Sequence, residues 1–230
     1  GESQHIAEIF PEFKNRIDLV CTPFDAKEII KKTDLVFFAL PHNESMEIIP
    51  DLLKAEKKII DLGADFRLKD LELYKAYYKK EHTAKEHVAK AVYGLPEVYL
   101  DAIKKANLIA NPGCYPTAVL LAALPAVEEG LVSANRIIAD AKSGVSGAGR
   151  SLRADLLFCE VNENMYAYRV GAHQHTPEIA QELSLCAKKP IELIFTPHLV
   201  PLDRGILATV YLDLKKGVSE EKIRSAYEEF

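Results

Sequence analysis

The chain has 230 residues, 48% of them hydrophobic, with 29 basic against 34 acidic residues and a formal net charge of -5. That is enough chain for a sizeable core, as one large domain or two modest ones. No basic block marks a nucleic-acid partner (Lys79 to Lys90 interleaves Lys with Glu and His), and no apolar run approaches the ~20 residues of a membrane span.

Gly1 to His5 reads as the middle of a connection, so an upstream βαβ unit is expected, and Ser219 to Phe230 reads as a helix just begun. Asp18 to Cys21 is a short apolar segment, and Asp25 to Lys32 predicts a short helix with Ile29 and Ile30 inward. The apolar run Asp34 to Leu40 suits a parallel strand buried on both faces. Pro41-His42-Asn43 ends it. Glu44 to Lys54 carries Met46, Ile49, Leu52 and Leu53 at helical spacing, and Lys58 to Leu62 is the next strand. Strand, helix, strand with short connections predicts an open parallel sheet with right-handed crossovers.

In such sheets ligands gather beyond the carboxyl ends of the strands. Three segments leave strands there: Leu40 to Asn43, Asp61 to Arg67 and Asn111 to Cys114. Asp65 and Arg67 are expected to pair as a clamp of their own loop, while His42 is either a site residue or an ordinary loop histidine. Leu71 to Tyr93, polar and tyrosine-rich, predicts a peripheral helical excursion before Tyr93 to Glu97 returns to the sheet.

Leu108 to Ala110 ends a strand, Asn111-Pro112-Gly113 makes a turn, and Pro116 suits the first position of a helix over Ala118 to Leu124. Cys114 thus stands just ahead of a helix N-terminus, where free N–H groups and the dipole favour a thiolate. The competing reading is a small buried hydrophobe. With Cys21, Cys159 and Cys186 it is one of four widely spaced cysteines, which suggests free thiols in a reducing cytoplasm.

Arg136 to Ala141 predicts a strand leading into Lys142 to Arg150. Its three glycines and two serines offer N–H groups to an anion, although a surface loop would look the same. Asn162 to Val170 predicts another strand, and Thr176 an N-cap with Pro177 at the first position of a helix to about Cys186. His173 and His175, two apart in an extended approach, project to one side and suit acid–base work. His198 could complete a three-histidine metal set, but with no CxxC or HExxH pattern no metal is expected. Ile191 to Thr196 and Gly205 to Leu214 are further strands bracketing Pro197 to Arg204. They predict a second, α+β domain with a more antiparallel sheet, divided as residues 1–114 and 115–230. No GxGxxG finger occurs, and one would belong to the expected upstream unit.

Seven stretches in order resemble the N-acetyl-gamma-glutamyl-phosphate reductases of the semialdehyde dehydrogenase superfamily. They are ALPHNES (Ala39 to Ser45), DLGADFRL (Asp61 to Leu68), YGLPE (Tyr93 to Glu97), NPGCYPT (Asn111 to Thr117), SGVSGAGR (Ser143 to Arg150), AHQHTPEI (Ala172 to Ile179) and FTPHLVPLDRGILATVY (Phe195 to Tyr211). Gly63, where serine is usual, and Gln174, where a basic residue is common, depart from the pattern. The resemblance implies an α/β fold, a Rossmann-like nucleotide domain joined to an α+β catalytic and dimerisation domain. It implies NADPH-dependent reductive dephosphorylation of an acyl phosphate through a Cys114 thioester, with His175 or His173 as acid–base. Leu40, Pro41 and His42 would border the adenine side of the cofactor, and Ser143, Gly144, Ser146 and Gly147 the nicotinamide side. Asn111, Arg150, His198 and Arg204 would contact the substrate anion. A homo-oligomer, dimer or tetramer, is expected. The aminoadipyl-phosphate reductases of lysine biosynthesis share the cysteine and histidine motifs and are the main alternative. A cysteine hydrolase or acyltransferase dyad is a second, and a scaffold with an ordinary Cys114 thiol a third.

Overall fold

Three hydrogen-bonded sheets organise the computed structural model, which describes residues 2–133 and 136–230. At the amino end, β1 (Gln4–His5) pairs antiparallel with β2 (Val20–Cys21) around the single turn of α1 (Ile6–Ile9). Then α2 (Ala26–Lys32), capped by the Asp25 carboxylate accepting from the N–H groups of Lys27 and Glu28, leads into β3 (Leu35–Phe38). The chain continues through α3 (Ser45–Lys54), β4 (Lys58–Asp61), α4 (Leu71–Tyr78), α5 (Lys85–Val88), β5 (Val92–Tyr93), α6 (Pro96–Lys105) and β6 (Leu108–Ala110).

These strands form one parallel sheet in the order β3-β4-β6-β5. The helical periodicity of α3 puts Met46, Ile49 and Leu52 against Phe38, Ile59, Leu108 and Ala110. Burial on both faces, expected for β3, does not hold: Phe37 is 62% exposed, because β3 is an edge strand whose second face is uncovered among the described residues. The tyrosine-rich excursion is less peripheral than its polarity suggests. Tyr74 is fully buried and stacks on Tyr78.

The second half comprises α7 (Cys114–Glu128), β7 (Arg136–Ser143), α8 (Phe158–Val161), β8 (Tyr166–Ala167), α9 (His175–Ala187), β9 (Glu192–Leu199), β10 (Ile206–Tyr211) and α10 (Glu220–Glu229). Its sheet runs β10-β7-β9-β8, antiparallel at both flanks with a parallel β7–β9 pair at the centre. Alternation sorts the strands: Ile137, Ala139, Ala141 and Phe195 face inward, where α7 supplies Val119, Leu120, Ala123 and Leu124 and α9 supplies Ile179 and Leu183. The opposite face leaves Ile138, Ile194, Leu207 and Tyr211 exposed.

Four local expectations shift. The strand over Asn162 to Val170 shrinks to β8, because Glu163, Arg169 and Gly171 adopt left-handed backbone that breaks an extended run. The parallel register with β7 carries β9 on through Pro197 and His198 to Leu199. The helix expected to start after Cys114 begins at Cys114 itself, with Gly113 as cap and Pro116 third. Likewise α9 begins at His175, so Thr176 lies within its first turn and does not cap it.

Candidate active site

Loops 40–43, 61–67 and 111–114 meet at the carboxyl edge of the parallel sheet, and two buried side chains fix them. Asp65 and Arg67 do not pair with each other; each holds a different set of backbone. Asp65 Oδ1 accepts from the Asn43 N–H (2.8 Å) and the Tyr74 hydroxyl (2.8 Å), and its Oδ2 from Ser45 Oγ (2.8 Å). Ser45 Oγ also lies 2.9 Å from Asp61 Oδ2. One hydroxyl proton is shared between two carboxylates, and burial raises the pKa of Asp61 against the hydrogen bonds it accepts from the Gly63 N–H and Ser45.

Arg67 donates from Nε to the Asn111 carbonyl (2.7 Å) and from Nη2 to the Leu62 carbonyl (2.8 Å), while Nη1 meets Glu178 Oε2 at 3.3 Å. Glu178, fully buried in α9, accepts at Oε1 from the Gly113 N–H (2.8 Å) and the Tyr93 hydroxyl (2.8 Å). This pair ties the last turn of the parallel sheet to the first turn of α9. Sequence reading missed Glu178, whose partners lie 65 or more residues away.

That bracing aims the start of α7. Cys114 occupies the first helical position and opens into a cleft of about 340 Å³. The backbone N–H groups of Cys114 and Tyr115 at the helix start favour the thiolate, and Pro116 has no N–H of its own to satisfy. The enclosing walls push the thiol pKa up, outweighing those two N–H groups and the nearby Arg67. The shift runs opposite to the one expected from helix position alone.

His175 crowds the same spot: a Cβ added at Gly113 would stand 2.6 Å from its Nε2. Its Nδ1 is buried without a hydrogen-bond partner among the described residues. His173 Nδ1 accepts from the His175 N–H (3.1 Å), so its proton sits on Nε2, and its ring packs edge-on against Tyr115, Tyr168 and Phe195. Burial lowers both histidines to about 3, helped by Arg67 at His175 and by His175 and Arg169 at His173. The two rings lie 4.8 Å apart, brought together by the turn before α9 and not by strand alternation.

His42, Cys114, Ser143, Gly147, His173 and His175 all line this cleft. Other expected residues lie elsewhere. Leu40 packs on the core of the parallel sheet, with Pro41 at the surface beside it. Asn111 acts through its carbonyl, and its side chain donates to the Pro112 carbonyl. Arg150 lies over the Phe10 ring at 4.4 Å, and His198 Nδ1 sits 3.1 Å from Asp140 on the open sheet face. Gly144 is pressed against the Arg204 backbone, where a Cβ would meet its N at 2.8 Å, and Ser146 and Arg204 share a separate shallow pocket. Arg150, His198 and Arg204 are thus not brought to Cys114.

Nor is the glycine-rich loop an anion nest. The N–H groups of Gly144, Val145 and Ser146 donate to the carbonyls of Gly205, Leu202 and Asp203. The loop packs closely on the strand before it: a Cβ at Gly147 would stand 2.8 Å from Ser143 Oγ, and both residues line the cleft. The cleft wall is completed by Arg153, Asp155, Tyr168, Arg169 and Gln174, none of them anticipated as contacts. Gln174 accepts from Arg169, so a cation stands at that rim although residue 174 is not basic. Among the described residues no group of three or more His, Cys, Asp or Glu is arranged to hold a metal ion, and no helix is long and apolar enough to cross a membrane.

Comparison with known proteins gives a consistent picture. Residues 2–106 match the family model described as semialdehyde dehydrogenase, NAD binding domain, and residues 114–230 the one described as semialdehyde dehydrogenase, dimerisation domain. The chain is 47% identical over 225 residues to a protein of Desulfotalea psychrophila and 49% identical over 227 residues to one of Syntrophobacter fumaroxidans, both called N-acetyl-gamma-glutamyl-phosphate reductase. These alignments cover 97% and 99% of the chain but 65% and 66% of the relatives, so the chain spans just under two thirds of their length. Among solved structures, aspartate semialdehyde dehydrogenase II from Vibrio cholerae superposes with a TM-score of 0.66 at 18% identity, covering 90% of this chain and 62% of that one. Aspartate semialdehyde dehydrogenase with NADP from Candida albicans superposes with a TM-score of 0.65 at 13% identity, covering 94% and 61%. At such identities the likeness is one of fold.

Proposed function

The chain belongs to the semialdehyde dehydrogenase family, and on that premise we propose that its Cys114 cleft performs the NADPH-dependent reductive dephosphorylation of N-acetyl-L-glutamyl 5-phosphate to the semialdehyde. The relatives' names favour the glutamyl over the aminoadipyl substrate. In this reading residues 1–114 serve the cofactor and 115–230 the chemistry and self-association, with the seam at the start of α7.

One observation carries the proposal: a cysteine at a helix start and a neutral imidazole line the same cleft at the carboxyl edge of a parallel sheet. Cys114 sulfur attacks the acyl carbon, the bond to the phosphate oxygen breaks, and a thioester remains. His175, not His173, takes the thiol proton, since its Nε2 stands against Gly113 while His173 Nδ1 is committed to the His175 N–H. A raised thiol and a lowered imidazole oppose that transfer until substrate binds. An arriving anion favours the imidazolium and so couples proton transfer to substrate binding. The nicotinamide, when bound, would supply a hydride at the thioester carbon, and the cleft residues Ser143, Gly147 and His42 would hold the cofactor. The N–H groups of Cys114 and Tyr115 stabilise the tetrahedral oxyanion, and His175 returns its proton to sulfur as the aldehyde leaves.

The full natural chain, given the semialdehyde, inorganic phosphate and NADP⁺, should show a phosphate-dependent rise in nicotinamide absorbance. No such rise overturns the assignment. Cys114→Ser should abolish turnover with NADP⁺ binding intact, and retained turnover would remove Cys114 from the nucleophile's role.

A further inference from the structure

Three side chains on one face of α9 reach into the first half of the chain. Glu178 is the brace already described. Glu182, buried one turn further on, accepts at Oε2 from the Tyr99 hydroxyl (2.6 Å). Between them stands Gln181, whose carboxamide meets a backbone. Its Oε1 accepts from the Lys69 N–H (2.8 Å) and its Nε2 donates to the Arg67 carbonyl (3.0 Å), contacts that span 112 and 114 residues. The other Nε2 proton goes to Glu182 Oε1 (2.8 Å). Only one orientation of the amide satisfies these partners, and it takes both backbone groups that flank Leu68, as a neighbouring strand would.

The backbone so held is that of Arg67, whose guanidinium in turn holds the Leu62 and Asn111 carbonyls. Asn111 opens the turn that ends at Cys114. Lys69 is anchored from its other side as well, its Nζ donating to the Val88 (2.8 Å) and Ala91 (2.6 Å) carbonyls. One helix therefore carries His175 at its first position and, six residues on, the group that registers the loop behind the cysteine's turn. That span is about 9 Å of hydrogen-bonded helix, at 1.5 Å per residue.

We propose that Gln181 is a positioning residue for the reaction: by fixing the Arg67 backbone on α9, it sets where the Asn111–Cys114 turn stands relative to His175. Gln181 touches neither thiol nor substrate in this assignment, which rests on the reaction proposed above. A contact that merely joined the two halves of the chain would add stability and leave the turn alone. The two roles differ at Gly113, whose N–H is bonded to Glu178 and not to Gln181.

In the full natural chain Gln181→Met keeps the length of the side chain and removes both backbone bonds. It should speed hydrogen exchange at the Gly113 amide at least about tenfold, relative to the amide of buried Ala139 in β7, whose exchange reports global unfolding. In the reverse reaction kcat should fall about 10- to 100-fold, with the KM for semialdehyde and for phosphate within about threefold, the mark of lost alignment. Gln181→Glu keeps the acceptor for Lys69 and loses only the donor to Arg67; it should change both readouts in the same direction, and it serves where Gln181→Met does not fold. The wild-type protein supplies a check without any variant, since the Lys69 amide should exchange slowly, and exchange at the rate of an open loop overturns the contact itself. A kcat within about twofold of wild type overturns the proposal. So does a lowered kcat with Gly113 exchange unchanged, because the loss would not then pass through the turn. Faster Gly113 exchange in the variant of a protein that has no reductase activity would leave the coupling standing and remove the reaction.

Discussion

At the scale of single residues the cleft sets opposed pKa shifts side by side, the Cys114 thiol raised and the His175 imidazole lowered. A cysteine at a helix start is expected to ionise readily, yet the walls around Cys114 raise its thiol above the ordinary value of 9.0, because they remove more solvation than two N–H groups return. A raised pKa means less thiolate at neutral pH than in a free thiol. Alkylation of Cys114 by iodoacetamide in the ligand-free protein should therefore climb through alkaline pH, half-maximal above 9.0. A midpoint below about 8, the range of activated thiols, would show that the walls do not control it. Slow labelling at neutral pH would then be the mark of a nucleophile awaiting substrate, and does not by itself favour a scaffold. Cys114, His173 and His175 were legible in the sequence from turn chemistry and spacing. Glu178 and Gln181 were not: each meets a partner supplied by folding, Glu178 at Gly113 across 65 residues and Gln181 at Lys69 across 112.

Between elements, the decisive contact is the crossing of the first turns of α7 and α9. Gly113 has ordinary extended backbone (φ -64, ψ 157), so it is needed there for space and not for conformation. Its missing Cβ leaves room for His175 Nε2 at 2.6 Å and Arg67 Nη1 at 3.0 Å. Gly113→Ala must push one of them aside, at a cost of about 1–3 kcal/mol for overpacking. Turnover should fall at least about tenfold, since the displaced ring is the proposed proton acceptor. Denaturant unfolding and kcat measured together check this, and a variant with wild-type kcat would mean that His175 does not need its position. The Asn-Pro-Gly turn announced a tight corner in the sequence. That the corner is tight against a histidine 62 positions later was not announced, because helix starts approach one another only after both sheets have formed.

For the whole molecule, the two sheets have different exposures. The inward face of the mixed sheet is sealed by α7 and α9, while Ile138, Ile194, Leu207 and Tyr211 stand on its open face at 37%, 41%, 66% and 57% exposure. Tyr211, Ile138 and Ile194 form one apolar row across three strands, set apart from Leu207 by the row of Thr209, Asp140 and Thr196. Together with the dimerisation family model over the same residues, it supports self-association through that face. Leu207→Glu, which places a charge on the most exposed of the four, should shift the full natural chain toward a smaller species in sedimentation velocity without lowering its folded helix content. An unchanged sedimentation coefficient would move the contact elsewhere.

The sequence by itself determined the two-part α/β architecture, the cysteine at a helix start and the histidines ahead of another. These depend on hydrophobic period and turn residues within a dozen positions of each other. It also determined the family, through motifs whose order survives without any geometry. Only the tertiary structure decided that His175 packs against Gly113, that Asp65 and Arg67 part to brace different loops, and that Arg169 lines the cleft while Arg150, His198 and Arg204 do not. Those outcomes depend on desolvation and on partners distant in the chain, and neither has a local signature. Cys114 could be found by reading along the chain, but the surroundings that shift its thiol upward could be found only in the fold.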